Sequence, residues 1–215
     1  MNGKRLPDQK DGNSLSHLMK SDIDRLADVE SRENTQSLRV LMTKLYKRNP
    51  AELKKSTSGT VDEMVGWVFE GDHQWKFEAI NNVQGTEAIY LTFNPEYKGD
   101  RVLPFIVGLQ TMLIKARGGK TEFFLTDSVD PQSAYNSARN IEIAAWKLSN
   151  TRDARGQLYL LTNEMQGKEQ NLSFEREIGR MVGRIDLYAM VLSEKSQRGL
   201  TRFTQGVAGA LFLPI

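Results

Sequence analysis

Apolar residues recur every three or four positions along most of this chain, which is the spacing of amphipathic α-helices. The pattern is clearest over residues 173–192, where an apolar stripe faces one way and three arginines face the other. A threonine followed three residues later by glutamate, Thr60 and Glu63, makes a capping box, and Asp130 before Pro131 makes a second helix start. The spacing predicts helices over residues 15–29, 35–48, 61–69, 102–114, 131–148 and 173–192.

Shorter apolar runs predict a small β element beside these helices. Residues 75–79 alternate between apolar and polar side chains, which predicts a brief strand or an extended segment. Residues 121–127 and 157–162 are short apolar runs compatible with two paired strands or with buried helical turns. Residues 86–93 do not distinguish helix from strand. The expected fold is mainly α, a single compact helical domain of about six to eight helices with a small β element. It spans residues 15–215 and follows a disordered polar lead at 1–14.

Composition narrows the classes of function. The 215 residues carry 29 basic and 27 acidic side chains, a net charge of +2, so nucleic acid is not an expected partner. Cysteine is absent, which excludes disulfides, thiolate metal sites and a cysteine nucleophile. Residues 1–14 lack the apolar core of a secretory signal. The most apolar segment, 102–114, is too short to cross a bilayer, so we expect a buried central helix and no transmembrane helix.

The sequence offers few catalytic groups. Gly118 to Thr121 resembles the end of a phosphate-binding loop, but Ile114 stands where the first glycine belongs, and a helix C-cap explains the glycines better. His17 and His73 do not form a metal-binding pair, so no metal and no cofactor are predicted. His73 beside Asp72 is a candidate base without a recognisable serine nucleophile. The carboxylates placed to form a hydrolytic pair are Glu122, Asp127, Asp130, Glu142 and Glu164.

Three arginines, Arg176, Arg180 and Arg184, share one face of the helix at 173–192. Glu177 can pair with Arg180, but Arg184 has no equally good local acid and requires a partner from elsewhere in the fold or from another molecule. Salt bridges to a neighbouring helix and binding of an anionic lipid, a phosphate or an acidic protein are the two interpretations. Gly179 and Gly183 form a G-x-x-x-G pair that predicts close approach of a second backbone.

The chain ends in an apolar segment, residues 206–215. It either packs into a groove of its own domain or inserts into a partner or a membrane interface. Arg198 and Arg202 lie just upstream and would favour an anionic surface in the second case.

Two segments, Leu-Tyr-Lys-Arg-Asn-Pro at residues 45–50 and Asn-Leu-Ser-Phe-Glu-Arg-Glu at 171–177, together with the polar lead and helix-rich body, resemble uncharacterised proteobacterial envelope lipoproteins. The resemblance implies a place in the cell envelope, on the periplasmic side, with a lipid anchor on a cysteine that this sequence does not contain; a cytoplasmic location is the alternative. It transfers no catalytic residue.

The predicted function is therefore a non-enzymatic envelope protein that binds a protein partner or an anionic membrane surface. The binding residues are Arg176, Arg180, Arg184, Arg198 and Arg202, together with the C-terminal segment. The alternative is a hydrolase that uses a carboxylate pair or His73 in a cleft between the central helix and the small sheet.

Overall fold

The structure is a computed structural model that describes residues 11–119, 129–163, 172–197, 199–200 and 211–215, with side chains from residue 24 onward. Within these ranges the chain is mainly helical, as the apolar spacing predicts. The described elements are α1 (Asp11–Arg48), α2 (Pro50–Ser56), α3 (Val61–Glu70), a 3₁₀ turn (Glu78–Ile80), α4 (Gly85–Thr92), α5 (Val102–Ala116), α6 (Pro131–Asn150) and α7 (Ser173–Ser196).

The first helix, α1, is one continuous element of 38 residues where the spacing predicts two helices. The predicted break falls at residues 30–34, because polar side chains occupy the core-facing positions there. Glu30 and Asn34 are buried on the same stripe as Leu38 and Leu41, so the helix continues through them. Residues 11–14, assigned to the polar lead, belong to α1, and residues 1–10 of that lead lie outside the described residues.

The core is built around α5, whose residues are buried on nearly every side. Helices α1, α4 and α6 pack against it, and α7 packs against α1 and α6. The approach of α4 is close at Gly108, where a Cβ atom would lie 2.8 Å from both the carbonyl oxygen of Gly85 and the amide nitrogen of Ile89. Only glycine fits at this position. The predicted central buried helix is thus confirmed.

Helix ends follow their sequence signals. The Thr60–Glu63 capping box forms, with the Glu63 amide donating to Thr60 Oγ1 at 3.2 Å. At the start of α6, Asp130 Oδ2 accepts from the Ser133 amide at 3.1 Å. Gly118 and Gly119 adopt positive φ angles of 79° and 77° and end α5, which makes them a helix cap instead of a phosphate-binding loop.

Of the two alternatives predicted for residues 75–79, the strand is wrong, and the extended backbone is found at Phe77. Gln74 and Trp75 adopt left-handed backbone conformations and a 3₁₀ turn follows, because Phe77 and Ile80, three residues apart, are the buried side chains. Residues 86–93 are mostly helical and belong to α4. The proposed pairing of 157–162 with 121–127 falls partly outside the described residues. Inside them, β structure is limited to one isolated antiparallel bridge between Arg152 and Leu158.

None of the helices among the described residues combines the length and the apolar character that a membrane span requires.

Candidate functional site

Helix α7 has a buried inner face and an exposed outer face. The inner face, which includes Phe174, Met181 and Ile185, packs into the core against α1 and α6. This confirms the amphipathic pattern from which the helix was predicted. The outer face bears a line of exposed positions three or four residues apart, which we call the α7 outer stripe: Leu172, Arg176, Gly179, Gly183, Leu187, Met190 and Glu194.

Arg184 turns away from this stripe and towards α1. Its Nε donates to Asn34 Oδ1 at 2.9 Å, and its Nη2 donates to Ser37 Oγ at 2.7 Å and to the Glu33 carbonyl at 3.2 Å. The partner from elsewhere that the sequence requires is therefore a set of polar groups on α1. Arg184 joins two helices and is not available as a binding residue.

Of the other four predicted arginines, two lie within the described residues and two lie outside them. Arg180, 57% exposed, donates to Glu177 Oε1 at 2.8 Å, which is the local pair expected from their spacing. Arg176 is exposed, and no described side chain bonds its guanidinium. Arg198 and Arg202 lie outside the described residues. Of the predicted basic surface, the structure places Arg176 and Arg180 side by side on the outside of α7.

The two glycines of the G-x-x-x-G pair face outward. A Cβ atom at Gly179 or Gly183 would have no described atom within 4 Å, so the predicted covering backbone is not found in the described part of the chain. Beyond the glycines, Leu187 is 54% exposed and Met190 is also exposed. On this outer face, two positions without a Cβ atom therefore lie between exposed apolar side chains on one side and arginines on the other.

A buried polar cluster lies on the other side of Arg184, and apolar spacing does not predict it. Glu30 and Arg117, 3% and 4% exposed, form an ion pair with Arg117 Nη2 and Nε at 2.6 and 2.8 Å from Glu30 Oε2. Asn34 Nδ2 also donates to Glu30. Burial raises the pKa of Glu30, and the Arg117 charge opposes that change. The only sequence signal is that Glu30 and Asn34 stand on the core-facing stripe of α1.

The C-terminal segment, in its described residues 211–215, docks on its own domain. The buried side chain of Asn140 accepts from the Leu213 amide at 2.6 Å and donates to the Leu213 carbonyl at 2.9 Å, while Asn136 donates to the Pro214 carbonyl at 2.9 Å. Phe212 meets the Tyr90 ring edge-on. Of the two predicted alternatives, these residues follow packing into a groove of the same domain.

An open cavity of about 910 Å³ lies beside this segment, between the start of α4 and the end of α5. Trp75, Met112 and Phe212 contribute apolar walls. Among its described lining residues the acid is Glu87, whose side chain is exposed. The cavity therefore lacks, among these residues, the desolvated acid that a carboxylate-dependent hydrolase needs.

The candidate catalytic groups have structural partners. His73 Nδ1 accepts from the Trp75 amide at 3.0 Å, so Nε2, 3.1 Å from the Trp67 carbonyl, is the donor. Through these two contacts the imidazole holds the turn after α3. Asp130 caps α6, and Glu142, whose pKa is raised by burial, pairs with Arg139 at 3.2 Å. The side chains of His17, Glu122, Asp127 and Glu164 lie outside the described residues.

The described residues include no group of three histidine, aspartate or glutamate side chains arranged to hold a metal ion. The α7 outer stripe is the candidate site, and the described side chains on it are arginine, leucine, methionine and glutamate. Comparison with family models, with curated proteins and with solved structures finds no match to this chain.

Proposed function

We propose that this protein is a non-enzymatic binding protein that docks a protein partner on the α7 outer stripe. The observation that supports the proposal is the exposure of Leu187 and Met190 next to two glycines that no described residue covers, on a helix whose opposite face is buried. Large apolar side chains grouped on one exposed helix face are typical of protein contact surfaces. Arg176 and Arg180 border the same surface and can contribute charge-assisted hydrogen bonds.

The proposed binding surface contains fewer residues than the one predicted from the sequence. Arg184 and the described part of the C-terminal segment make internal contacts, so they are left out of the binding surface. No described contact favours the hydrolase alternative. His73 bonds to backbone groups of the turn after α3, and Asp130 caps α6.

A protein is a better match than an anionic membrane because the stripe carries both signs of charge. Arg176 lies near its N-terminal end and Glu194 near its C-terminal end. A polyanionic surface would attract the first and repel the second. The lack of a Cβ atom at Gly179 and Gly183 also suits the ridge of a facing helix, because it permits close backbone approach.

Placement in the cell envelope is part of the same proposal and is supported by the resemblance described for residues 45–50 and 171–177. A lipid anchor of that class needs a cysteine upstream of residue 1 in the gene product. Expression from the native gene with its upstream coding region, followed by fractionation and palmitate labelling, tests this. Label in the membrane fraction is the expected result, and unlabelled protein in the cytosol would contradict the envelope placement.

The binding proposal is tested by photocrosslinking in the source cells. A photoreactive amino acid replaces Leu187 in one variant and Glu96, an exposed residue of the loop after α4, in a matched control. We expect a discrete protein adduct from position 187 and none from position 96. Adding Arg176→Ala and Arg180→Ala should reduce the adduct while the melting temperature stays within about 2 °C of the parent.

The membrane alternative is decided with vesicles rich in anionic phospholipid. One outcome would replace the protein partner by a lipid surface. In it, the chain floats with these vesicles, the Arg176→Ala/Arg180→Ala variant does not, and position 187 gives no protein adduct. The absence of both signals would remove the α7 outer stripe as a binding site.

A further inference from the structure

We propose that the partner docked on the α7 outer stripe is a second copy of this chain, packed with the two α7 helices antiparallel about a two-fold axis at Gly183. This inference rests on the proposed function and names its partner. A two-fold contact requires a surface that complements itself, so that each projection meets a depression and each charge meets its opposite. The α7 outer stripe meets both conditions.

The shape of the stripe is self-complementary about Gly183. Gly179 lies four residues before Gly183 and Leu187 lies four residues after it, both within about 40° of the stripe's centre at 3.6 residues per turn. An antiparallel two-fold therefore brings Leu187 of each copy to the level of Gly179 of the other, beside the two positions that lack a Cβ atom. The side chain that is 54% exposed in one copy fills the space that lacks a Cβ atom in the other.

The charges favour the antiparallel arrangement over the parallel one. Arg176 and Glu194 point to the same side of the stripe, seven residues before and eleven residues after Gly183. In the antiparallel pair, Arg176 of one copy lies about four residues, or about 6 Å along the axis, from Glu194 of the second copy, which two long side chains can span. In a parallel pair, Arg176 would face Arg176 and Glu194 would face Glu194, and like charges repel.

Arg180 does not oppose this contact. It stays paired with Glu177 in its own copy, and its aliphatic stem can lie along Leu187 of the second copy while the guanidinium remains in water. The buried inner face of α7 is untouched, so association requires no rearrangement of the core.

Sedimentation velocity on the full chain tests the contact through one glycine. Gly183→Leu places a side chain where no described atom of the single copy lies within 4 Å of the added Cβ, so we expect the monomer to fold with a strengthened helix. The same side chain separates the two helices at the axis. We expect the parent to sediment as a dimer, and the variant to self-associate about tenfold more weakly. In protein dilute enough to be monomeric, the variant should have an unchanged or higher melting temperature.

Charge reversal tests the orientation. Arg176→Glu should weaken self-association, and the double variant Arg176→Glu/Glu194→Arg should restore it, because the pair is reversed in both halves of the contact. Failure of the double variant to recover, with both variants folded, would contradict the antiparallel arrangement.

The absence of cysteine allows a second test of orientation. Arg176→Cys and Met190→Cys stand seven residues on either side of Gly183, so an antiparallel pair joins the two variants to each other when they are mixed. A parallel pair would join Arg176→Cys to itself. Glu96→Cys is the control for random collision. Disulfide formation only in the mixture is the expected result.

The outcomes separate this inference from the function on which it rests. A photocrosslinked adduct at position 187 with twice the monomer mass supports both. An adduct of another mass from a chain that sediments as a monomer would overturn the second copy and retain a protein partner. No adduct and a monomeric chain would overturn both.

Discussion

Arg184 and Arg176 occupy the same helix, lie two turns apart and share one face by spacing, yet their surroundings differ completely. Arg184 is fixed by three hydrogen bonds to α1, while no described group bonds the Arg176 guanidinium. The difference arises from α1, which packs against α7 and brings Asn34 and Ser37 to the level of Arg184. A basic stripe on a helix can therefore combine an arginine that joins two helices with an arginine that faces solvent.

The hydrogen bonds of Arg184 connect it to the buried ion pair between Glu30 and Arg117. Asn34 donates to Glu30 and accepts from Arg184, so the three helices α1, α5 and α7 meet through one connected set of polar side chains. Such a set stabilises the fold only while each member is satisfied. Arg176, on the exposed side of α7, is not part of such a set among the described residues.

The largest expected effect comes from breaking the buried ion pair. Arg117→Met should lower the free energy of unfolding by about 3–5 kcal/mol, because Glu30 then remains buried without its counter-charge. Urea unfolding followed by tryptophan fluorescence measures it. The matched control is Glu30→Leu/Arg117→Met, which removes both charges and should be less destabilised than the single variant. Equal loss in both would show that packing, not charge, dominates.

Next in size is the contrast between the two arginines. Arg184→Ala should cost about 2–3 kcal/mol, since it leaves Asn34 and Ser37 without their donor. Arg176→Ala, on the exposed side of the same helix, should stay within about 0.5 kcal/mol of the parent. The two free energies of unfolding are compared in the same buffer, with protein dilute enough to be monomeric. Similar losses would remove the distinction between the internal and the exposed arginine.

Titration of Glu30 makes the contribution of the buried polar cluster to stability depend on pH. Burial raises its pKa above the usual 4.5, so the folded state holds the Glu30 proton more tightly than the unfolded state does. That contribution to stability is full below pH 4.5 and is lost as pH rises through the raised pKa. A tenfold difference in proton affinity between the two states corresponds to about 1.4 kcal/mol. Relative to Glu30→Gln, the parent should therefore be more stable near pH 4 than near pH 7, as urea unfolding at both values will show.

Sequence patterning predicts what depends on one helix at a time. The apolar stripe of α7, the Thr60–Glu63 box and the Asp130–Pro131 start are local, and the structure contains each of them. The pairing of Arg180 with Glu177 is local too, and it was predicted.

What the sequence does not predict depends on which helices become neighbours. Nothing near Arg184 in the sequence identifies its hydrogen-bond partner Asn34, which lies 150 positions away. Likewise, nothing near Leu213 identifies Asn140 as the side chain that bonds its backbone. The predicted strand at residues 75–79 fails for a related reason, since burial of Phe77 and Ile80 against the core outweighs the local alternation. Spacing thus predicts a helix face, and only tertiary packing separates Arg184, which bonds to α1, from the exposed Arg176 and Arg180.

The smallest expected effect comes from substituting two helical glycines by alanine. Gly183 and Gly108 both lie inside helices, but an added Cβ meets no described atom at Gly183 and lies 2.8 Å from α4 backbone at Gly108. Gly183→Ala should therefore raise the free energy of unfolding of the monomer by about 0.5–1 kcal/mol, because alanine restricts the unfolded chain and suits the helix. Gly108→Ala should lower it, because the α4 backbone must move. Thermal and urea unfolding of dilute protein compare the two. A loss of stability at position 183 would mean that part of the chain covers the outer face of α7, and that face would then not be open to a second copy or to any other partner.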